Sequence, residues 1–152
     1  MSPMKRIEVE ILTSQVFSRI VQTMGKQEFM RFAVSKIVPI QGDLIVEGLG
    51  ISAEEHELIV NNVDVIINSA ASINLDEPLK VALNTNYFGA QRVLTLAKQC
   101  KKLKIFTHVS TAYVNCDRPA GEVREIIYED GRDVDEVVGG IMKMSFDEVK
   151  EK

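Results

Sequence analysis

The 152-residue sequence is poor in cysteine and histidine. Cys100 and Cys116 are its only cysteines, and two thiols without a Cys-x-x-Cys spacing cannot form a disulfide framework or a redox motif, so we expect a reducing, intracellular compartment. His56 and His108 have no cysteine or carboxylate at ligand spacing. A metal site is therefore not expected.

The sequence also lacks an apolar run long enough to cross a bilayer, which takes roughly 20 residues. Glu8 and Glu10 interrupt the first apolar stretch, which excludes the apolar core of a signal peptide. With 18 Lys+Arg against 22 Asp+Glu, the net charge of -4 argues against nucleic acid or an anionic membrane as the main partner. The length and the 45% hydrophobic content are typical of one soluble globular domain.

The acidic charge is concentrated near the C-terminus. Residues 119–152 carry 10 acidic and 5 basic side chains, whereas the preceding 118 residues are nearly neutral. Five apolar residues recur there at helical spacing: Val134, Val137, Val138, Ile141 and Met142. We interpret 129–152 as a solvated acidic segment with one or two short helices; an interaction tail is the alternative, and no specific motif supports it.

Residues 1–35 are predicted to be a helical segment. Apolar side chains recur at helical spacing after Ser14, and Gly25 is a stop signal. The apolar positions are Val16, Phe17, Ile20, Val21 and Met24.

Residues 36–128 alternate strand and helix patterns. Strands are predicted at 36–41, 63–68 and 104–110, and the last two are β-branched runs typical of parallel strands buried on both faces. Because helices separate these strands, the order predicts parallel strands joined by right-handed crossovers, an α/β fold.

Two helix starts are predicted inside this α/β region. Ser52-Ala53-Glu54-Glu55 has the pattern of a capping box, so a helix should run from there to about Asn62. Asp76 is predicted to cap a long helix that has Pro78 in its first turn.

Ligands of open α/β sheets bind outside the carboxyl ends of the strands, so three segments are candidates for a binding site. Each begins where a predicted strand ends, and each consists mainly of small or polar residues. They are Gly42-Asp43-Leu44, Asn68-Ser69-Ala70-Ala71-Ser72 and Ser110-Thr111-Ala112-Tyr113.

Four stretches of the sequence closely resemble the fatty acyl-CoA reductases, which are extended short-chain dehydrogenase/reductases also called the male-sterility family. They are Lys-Ile-Val-Pro-Ile-Gln-Gly-Asp-Leu (36–44), Val-Asp-Val-Ile-Ile-Asn-Ser-Ala-Ala-Ser (63–72), Asn-Tyr-Phe-Gly (86–89) and His-Val-Ser-Thr-Ala-Tyr-Val-Asn (108–115). The resemblance is close from Lys36 to Tyr128, looser from Glu10 to Phe32, and weak beyond Glu129.

The resemblance implies a Rossmann-type domain that binds NADPH and reduces a fatty acyl-CoA, through the aldehyde, to a fatty alcohol. By the same resemblance, 36–41, 63–68 and 104–110 are the third, fourth and fifth strands of the sheet. The expected fold is thus a partial Rossmann-type parallel sheet with flanking helices, which lacks the first two strands and the C-terminal strands.

The resemblance also assigns roles to individual residues. Asp43, with Leu44 in the same turn, is expected to contact the adenine amine. The segment expected along the adenosine ribose consists of Asn68, Ser69, Ala70 and Ala71. Asn86 is expected on a helix beside the site; the plainer interpretation of Asn86 is a polar residue in a helix interior that bonds to backbone. The hydroxyl that polarises the substrate carbonyl is Ser110 or Thr111; we favour Thr111 because Ser110 would still lie on the strand.

Two motifs of the family are missing from this sequence. The glycine-rich Gly-x-x-Gly-x-x-Gly turn, which contacts the pyrophosphate, is absent, and Gly48-Leu49-Gly50 is expected to be a plain turn. No tyrosine is followed four positions later by lysine, so the Tyr-x-x-x-Lys proton donor is also absent.

Three hypotheses explain these absences. The chain is an interior piece of a fatty acyl-CoA reductase, a truncated non-catalytic binding or scaffold subunit, or part of another extended reductase such as a carboxylic acid reductase. Without strands one and two, strand edges stay unpaired, so self-association through them is expected. Because members of this family often attach to peroxisomes, endoplasmic reticulum or plastids, the resemblance implies one of these locations as the expectation for the parent enzyme.

Overall fold

A computed structural model describes residues 2–116, 118–129 and 131–150 of the chain. The chain divides into two compact units, Met1–Gly42 and Asp43–Lys152. Within the described ranges, no helix combines the length and the apolar character needed to cross a membrane.

The first unit is helical. It contains α1 (Pro3–Arg6), a π turn (Ile7–Ile11), a 3-10 turn (Gln15–Phe17), α2 (Ser18–Met24) and α3 (Lys26–Lys36). Gly25 has a φ of 83°, which separates α2 from α3 and confirms the predicted stop. The core of this unit is built from Leu12, Phe29 and Ala33, with the Phe17 ring 5.3 Å from the Phe29 ring.

The predicted strand at 36–41 is wrong. Lys36 is the last residue of α3, and residues 37–43 have no regular secondary structure. A β-branched pattern indicates only that extended backbone is favoured. A strand also needs a neighbouring strand that forms hydrogen bonds with its N–H and C=O groups. The described sheet has two strands, and neither includes this segment.

The second unit contains a parallel pair of strands, β1 (Val65–Asn68) and β2 (Ile105–His108). The pairing runs from Val65 opposite Ile105 to Asn68 opposite His108. Both strands lie inside the ranges predicted from sequence, and both are shorter than predicted. The parallel order confirms the crossover connection that the helix between them implied.

Along the chain, helices precede, separate and follow these two strands. They are α4 (Ala53–Asn62), α5 (Leu79–Ala82), a π turn (Leu83–Phe88), α6 (Gly89–Gln99), α7 (Val134–Lys143) and α8 (Phe146–Lys150), and short 3-10 turns cover Glu47–Gly50 and Ala112–Asn115. α5, the π turn and α6 form one continuous helix, called the long helix below, because Leu83 and Gly89 at the junctions are both helical.

One of the two predicted helix starts is correct. Ser52 and Glu55 form the complete capping box that begins α4. Asp76 does not cap the long helix: the capping position is Pro78, and no side chain bonds there. The Asp76 N–H instead donates to the side chain of Asn74, which closes a local turn before the helix.

α7 and α8 are the helices expected in the acidic segment, whose Asp130, Glu151 and Lys152 lie outside the described residues. The Lys80 ammonium donates to the backbone carbonyl of Met142 at 3.0 Å and to that of Met144, at the carboxyl end of α7. At the other end of α7, the Tyr87 hydroxyl donates to Asp135. The long helix and α7 are therefore antiparallel neighbours.

The sheet is incompletely covered. Val65, Ile67 and Ile105 are 48%, 68% and 55% exposed, although parallel sheets normally have both faces covered. The molecule is thus a helix-rich α/β fold with a partial Rossmann-type sheet, as predicted.

Candidate functional site

The carboxyl ends of β1 and β2 lie side by side. Asn68, which is 5% exposed, faces His108 across the pair, and its side-chain nitrogen lies 3.0 Å from His108 Nδ1. The Val109 N–H donates to the Asn68 carbonyl at 2.9 Å, which continues the pairing by one step. Segments 69–72 and 109–111 therefore leave the sheet at the same edge, where α/β sheets bind ligands.

Segment 69–72 is bonded to the long helix through Asn86. The Asn86 side-chain oxygen accepts from the Ser72 N–H at 2.8 Å, and its nitrogen donates to the Ser72 carbonyl at 3.0 Å. Because both ends of the amide are used, Asn86 positions this segment. It is bonded to backbone, but to another segment of the unit and not to its own helix.

Ser69, Ala70 and Ala71 form an exposed shelf beside this contact. Their side chains are small, so a flat ligand can approach the backbone closely. Ile73 and Leu75 follow and are 91% and 98% exposed, which is unusual for large apolar side chains.

The turn 43–50 is closed by its own hydrogen bonds. The Asp43 N–H donates to the Leu49 carbonyl at 2.8 Å, and the Asp43 Oδ1 accepts from the Ile45 N–H at 3.0 Å. Asp43 is exposed, and its Oδ2 has no hydrogen bond within the part of the chain that the structure describes. That oxygen is free to accept a hydrogen bond from a ligand.

Leu49 has a left-handed backbone, with a φ of 62°, between Gly48 at 63° and Gly50 at 61°. Such a backbone is costly for leucine, and its burial inside the unit compensates for that cost. The sequence prediction that Gly48-Leu49-Gly50 is a turn is confirmed.

The same turn packs against the long helix through Leu44. A Cβ placed on Gly89 would lie 3.0 Å from Leu44 Cβ, so glycine permits this close approach. Gly89 follows Asn86 by three residues, which is less than one helical turn and about 4.5 Å along the axis. The long helix therefore contacts, at neighbouring positions, the turn that contains Asp43 and Leu44 and the segment 69–72, which contains Ser69, Ala70 and Ala71.

The hydroxyl pair lies beyond the sheet. β2 ends at His108, so Ser110 and Thr111 both follow the strand, and the reason for preferring Thr111 was wrong. The Thr111 Oγ1 accepts from the Tyr113 N–H at 3.2 Å at the start of the 3-10 turn Ala112–Asn115. Within the described part of the chain, the Thr111 hydroxyl hydrogen has no acceptor and is free to donate.

Tyr87 lies on the long helix, within its π turn. The hydrogen bond from Tyr87 to Asp135 raises the pKa of the Tyr87 phenol above its ordinary value, because ionising the phenol would lose that bond. Gln91, four residues further on, also contacts Asp135, at 3.5 Å. Tyr87 thus belongs to the contact between the long helix and α7.

Two clefts adjoin these elements. One of about 350 Å³ lies between the turn 47–49, α4 and α6, where His56 Nε2 is 2.9 Å from the Gln99 side-chain oxygen. The other, about 570 Å³ and mainly apolar, lies between Leu79 and the helices α7 and α8. Among the described residues no group of three His, Cys, Asp or Glu side chains is placed to bind a metal ion.

Sequence reasoning missed two side-chain contacts of the site. Arg92 on the long helix donates to the Leu44 carbonyl, and His108 pairs with Asn68. An arginine among the apolar positions of a helix was the available signal for the first. Asn68 ends one predicted strand and His108 lies inside the next, but only the register shows that they face each other.

Comparison with known proteins gives a consistent result. A model of an NAD-binding family described as male sterility protein matches residues 1–151. The chain is 40% identical to fatty acyl-CoA reductase 2, chloroplastic, of Arabidopsis thaliana over 114 residues, which is 75% of this chain and 18% of that protein. It is 35% identical to probable fatty acyl-CoA reductase 4 of the same plant over 144 residues, 94% of this chain and 28% of that protein.

An insect relative is also similar. The fatty acyl-CoA reductase wat of Drosophila melanogaster is 38% identical over 112 residues, 74% of this chain and 20% of that protein. The chain thus spans between 18% and 28% of the length of these relatives.

Proposed function

The chain belongs to the male sterility protein family, and from that membership we propose that it forms part of the NADPH-binding domain of a fatty acyl-CoA reductase. The relatives named above are fatty acyl-CoA reductases, which supports this activity for the parent protein. The observation that carries the proposal is the contact of segments 43–50 and 69–72 with one stretch of the long helix. Residues 36–128 are proposed as the cofactor-binding core.

The adenosine half of NADPH is proposed to bind between these two segments. The free Asp43 Oδ2 is suited to accept from the exocyclic amine of adenine, with Leu44 beside it. The exposed shelf of Ser69, Ala70 and Ala71, after Asn68, allows the ribose to lie against the backbone. When bound, NADPH supplies the hydride that reduces the acyl thioester.

The hydroxyl pair is proposed to act on the substrate carbonyl. The Thr111 Oγ1 already accepts from Tyr113, so its hydrogen can be donated to the carbonyl oxygen as negative charge develops there. Ser110 is adjacent and exposed, and it remains the alternative. Either hydroxyl would lower the barrier without itself transferring a proton to product.

The 152-residue chain itself is proposed to be inactive. Its sequence has neither the glycine-rich turn for the pyrophosphate nor a Tyr-x-x-x-Lys pair for proton transfer, and Tyr87 donates to Asp135. Self-association through the outer edges of the two-stranded sheet is proposed as well, and the exposed apolar face of the sheet, with Ile67 68% exposed, favours it further.

Replacement of Asp43 tests the cofactor assignment. In a version of the protein extended to the length of its relatives, Asp43→Ala should weaken NADPH binding by about 1–3 kcal/mol, the cost of an unpaired polar group. Glu47→Ala is the matched control, since it removes an exposed carboxylate from the same turn. An unchanged dissociation constant for Asp43→Ala would exclude Asp43 from the cofactor site.

A further inference from the structure

The side chain of Arg92 joins the turn 43–50 to the long helix. Its Nη1 donates to the Leu44 carbonyl at 2.8 Å, and its Nε lies 3.7 Å from the Glu47 carboxylate. The arginine side chain is only 20% exposed, whereas the Glu47 side chain is 96% exposed. The bond to the Leu44 carbonyl, and not the exposed ion pair, is therefore the significant contact.

Arg92 also bonds the π turn. Its Nη1 donates to the Asn84 carbonyl at 3.2 Å, and its Nη2 donates to the Asn84 side-chain oxygen at 3.2 Å. The Asn84 carbonyl is the one that accepts the Gly89 N–H and so closes the π turn. Asn86, which bonds Ser72, lies inside this turn.

One guanidinium thus connects both cofactor segments. It bonds the turn 43–50 directly, and it stabilises the helical geometry from which Asn86 reaches segment 69–72. A planar fork with several fixed donors suits this task, whereas a lysine ammonium could satisfy only part of it. The spacing between the two segments is then set before any ligand binds.

We propose that Arg92 is a positioning residue that holds the turn 43–50 at a fixed spacing from segment 69–72, and so sets the affinity of the adenosine half-site. This inference rests on the proposed function for the identity of the ligand. Arg92 is not proposed to contact the cofactor, because all of its hydrogen bonds within the described residues go to protein atoms.

The first measurement is amide hydrogen exchange on the 152-residue chain. Arg92→Met keeps the apolar stem and removes the donors, so exchange at Asp43 and Leu49 should become about tenfold to a hundredfold faster. Arg92→Lys should restore part of the protection. Lys98→Met, which removes an exposed cation from the same helix, should change neither amide.

The second measurement is the affinity for 2′,5′-ADP, the adenosine half of NADPH, followed by chemical-shift titration of the same chain. Arg92→Met should weaken binding about tenfold, and Arg92→Lys by less. Ser52→Ala serves as the stability control, because it removes the α4 capping box without touching the turn.

The outcomes are distinguishable. Unchanged exchange in Arg92→Met, or uniformly faster exchange that includes Val109, would overturn the positioning role. An equal loss of affinity in Ser52→Ala and Arg92→Met would also overturn it, because general instability would then explain the effect. If the unmodified chain binds no 2′,5′-ADP, the proposed function fails, while the exchange pattern still decides whether Arg92 holds the turn.

Discussion

The two sides of the candidate site are built differently. On the side proposed to bind adenosine, called the adenosine side below, the turn 43–50 and segment 69–72 are bonded to the long helix by Arg92 and Asn86. On the hydroxyl side, Thr111 bonds only its own 3-10 turn, and among the described residues Ser110 has no side-chain hydrogen bond. The chain therefore organises the adenosine side, while the hydroxyl side needs further contacts for precise geometry.

The largest expected effect is on the hydroxyl side. In a version extended to the length of the relatives, Thr111→Val should lower turnover about 10²–10³-fold with little change in NADPH affinity, because a donor to the developing oxyanion is lost. Steady-state kinetics with an acyl-CoA substrate measures this. If Ser110→Ala lowers turnover and Thr111→Val does not, the choice of Thr111 within the pair is wrong. If neither substitution lowers turnover, the segment has no role in catalysis.

Replacing two glycines by alanine should change the stability of the chain in opposite directions, and only one of the two lies on the adenosine side. Gly89→Ala puts a methyl 3.0 Å from Leu44 Cβ and should destabilise the turn 43–50, by about 1–2 kcal/mol after the gain in helix propensity. Gly139→Ala in α7 meets nothing within 4 Å and should stabilise the chain by about 0.5–1 kcal/mol. Denaturant unfolding of both variants measures the difference, and stabilisation by Gly89→Ala would contradict the close packing of Leu44.

Asn86 offers a smaller and more local effect. Asn86→Ala removes both bonds to the Ser72 backbone, so the Ser72 amide should exchange about tenfold faster while Asp43 keeps its protection. Asn62→Ala is the control, because that side chain bonds only within α4. Equal protection of Ser72 in both variants would show that Asn86 does not position the segment.

The smallest effect concerns pH. The hydrogen bond to Asp135 raises the pKa of Tyr87, so its stabilising contribution is complete below the ordinary phenol pKa of about 10 and is lost as the pH rises through the folded value. Asp135→Ala should return the Tyr87 pKa toward its ordinary value. The pKa can be measured from phenolate absorbance, and Tyr87→Phe identifies which part of the signal comes from Tyr87. The same Tyr87 titration in the unmodified chain and in Asp135→Ala would contradict the contact.

Local signals in the sequence predicted the local features of the fold. The Ser52 and Glu55 capping box and the Gly25 stop depend on residues within four positions, and both are present. The predicted strand at 36–41 depended on a neighbour that a propensity pattern cannot supply. Asp76 failed as a cap because Pro78, two residues later, occupies the capping position.

In the candidate site, too, local features could be predicted from the sequence, whereas contacts between distant residues could not. The β-branched runs placed Asn68 correctly at the end of β1, but they extended the next strand to Ser110, two residues beyond the end of β2. The Arg92 and Asn86 contacts join residues 48 and 14 positions apart, so no local pattern could reveal them. Family resemblance named Asn86, but only the geometry shows that its amide is bonded to the Ser72 backbone.

Parallel calorimetric titrations of the monodisperse 152-residue chain with NADPH and with 2′,5′-ADP test the central claim most directly. A chain that carries the adenosine side alone should bind both ligands weakly, near 1 mM or about 4 kcal/mol, and within about threefold of each other. Micromolar NADPH binding, about a hundredfold or more tighter than 2′,5′-ADP, would contradict the account, because the chain would then contain pyrophosphate and nicotinamide contacts of its own.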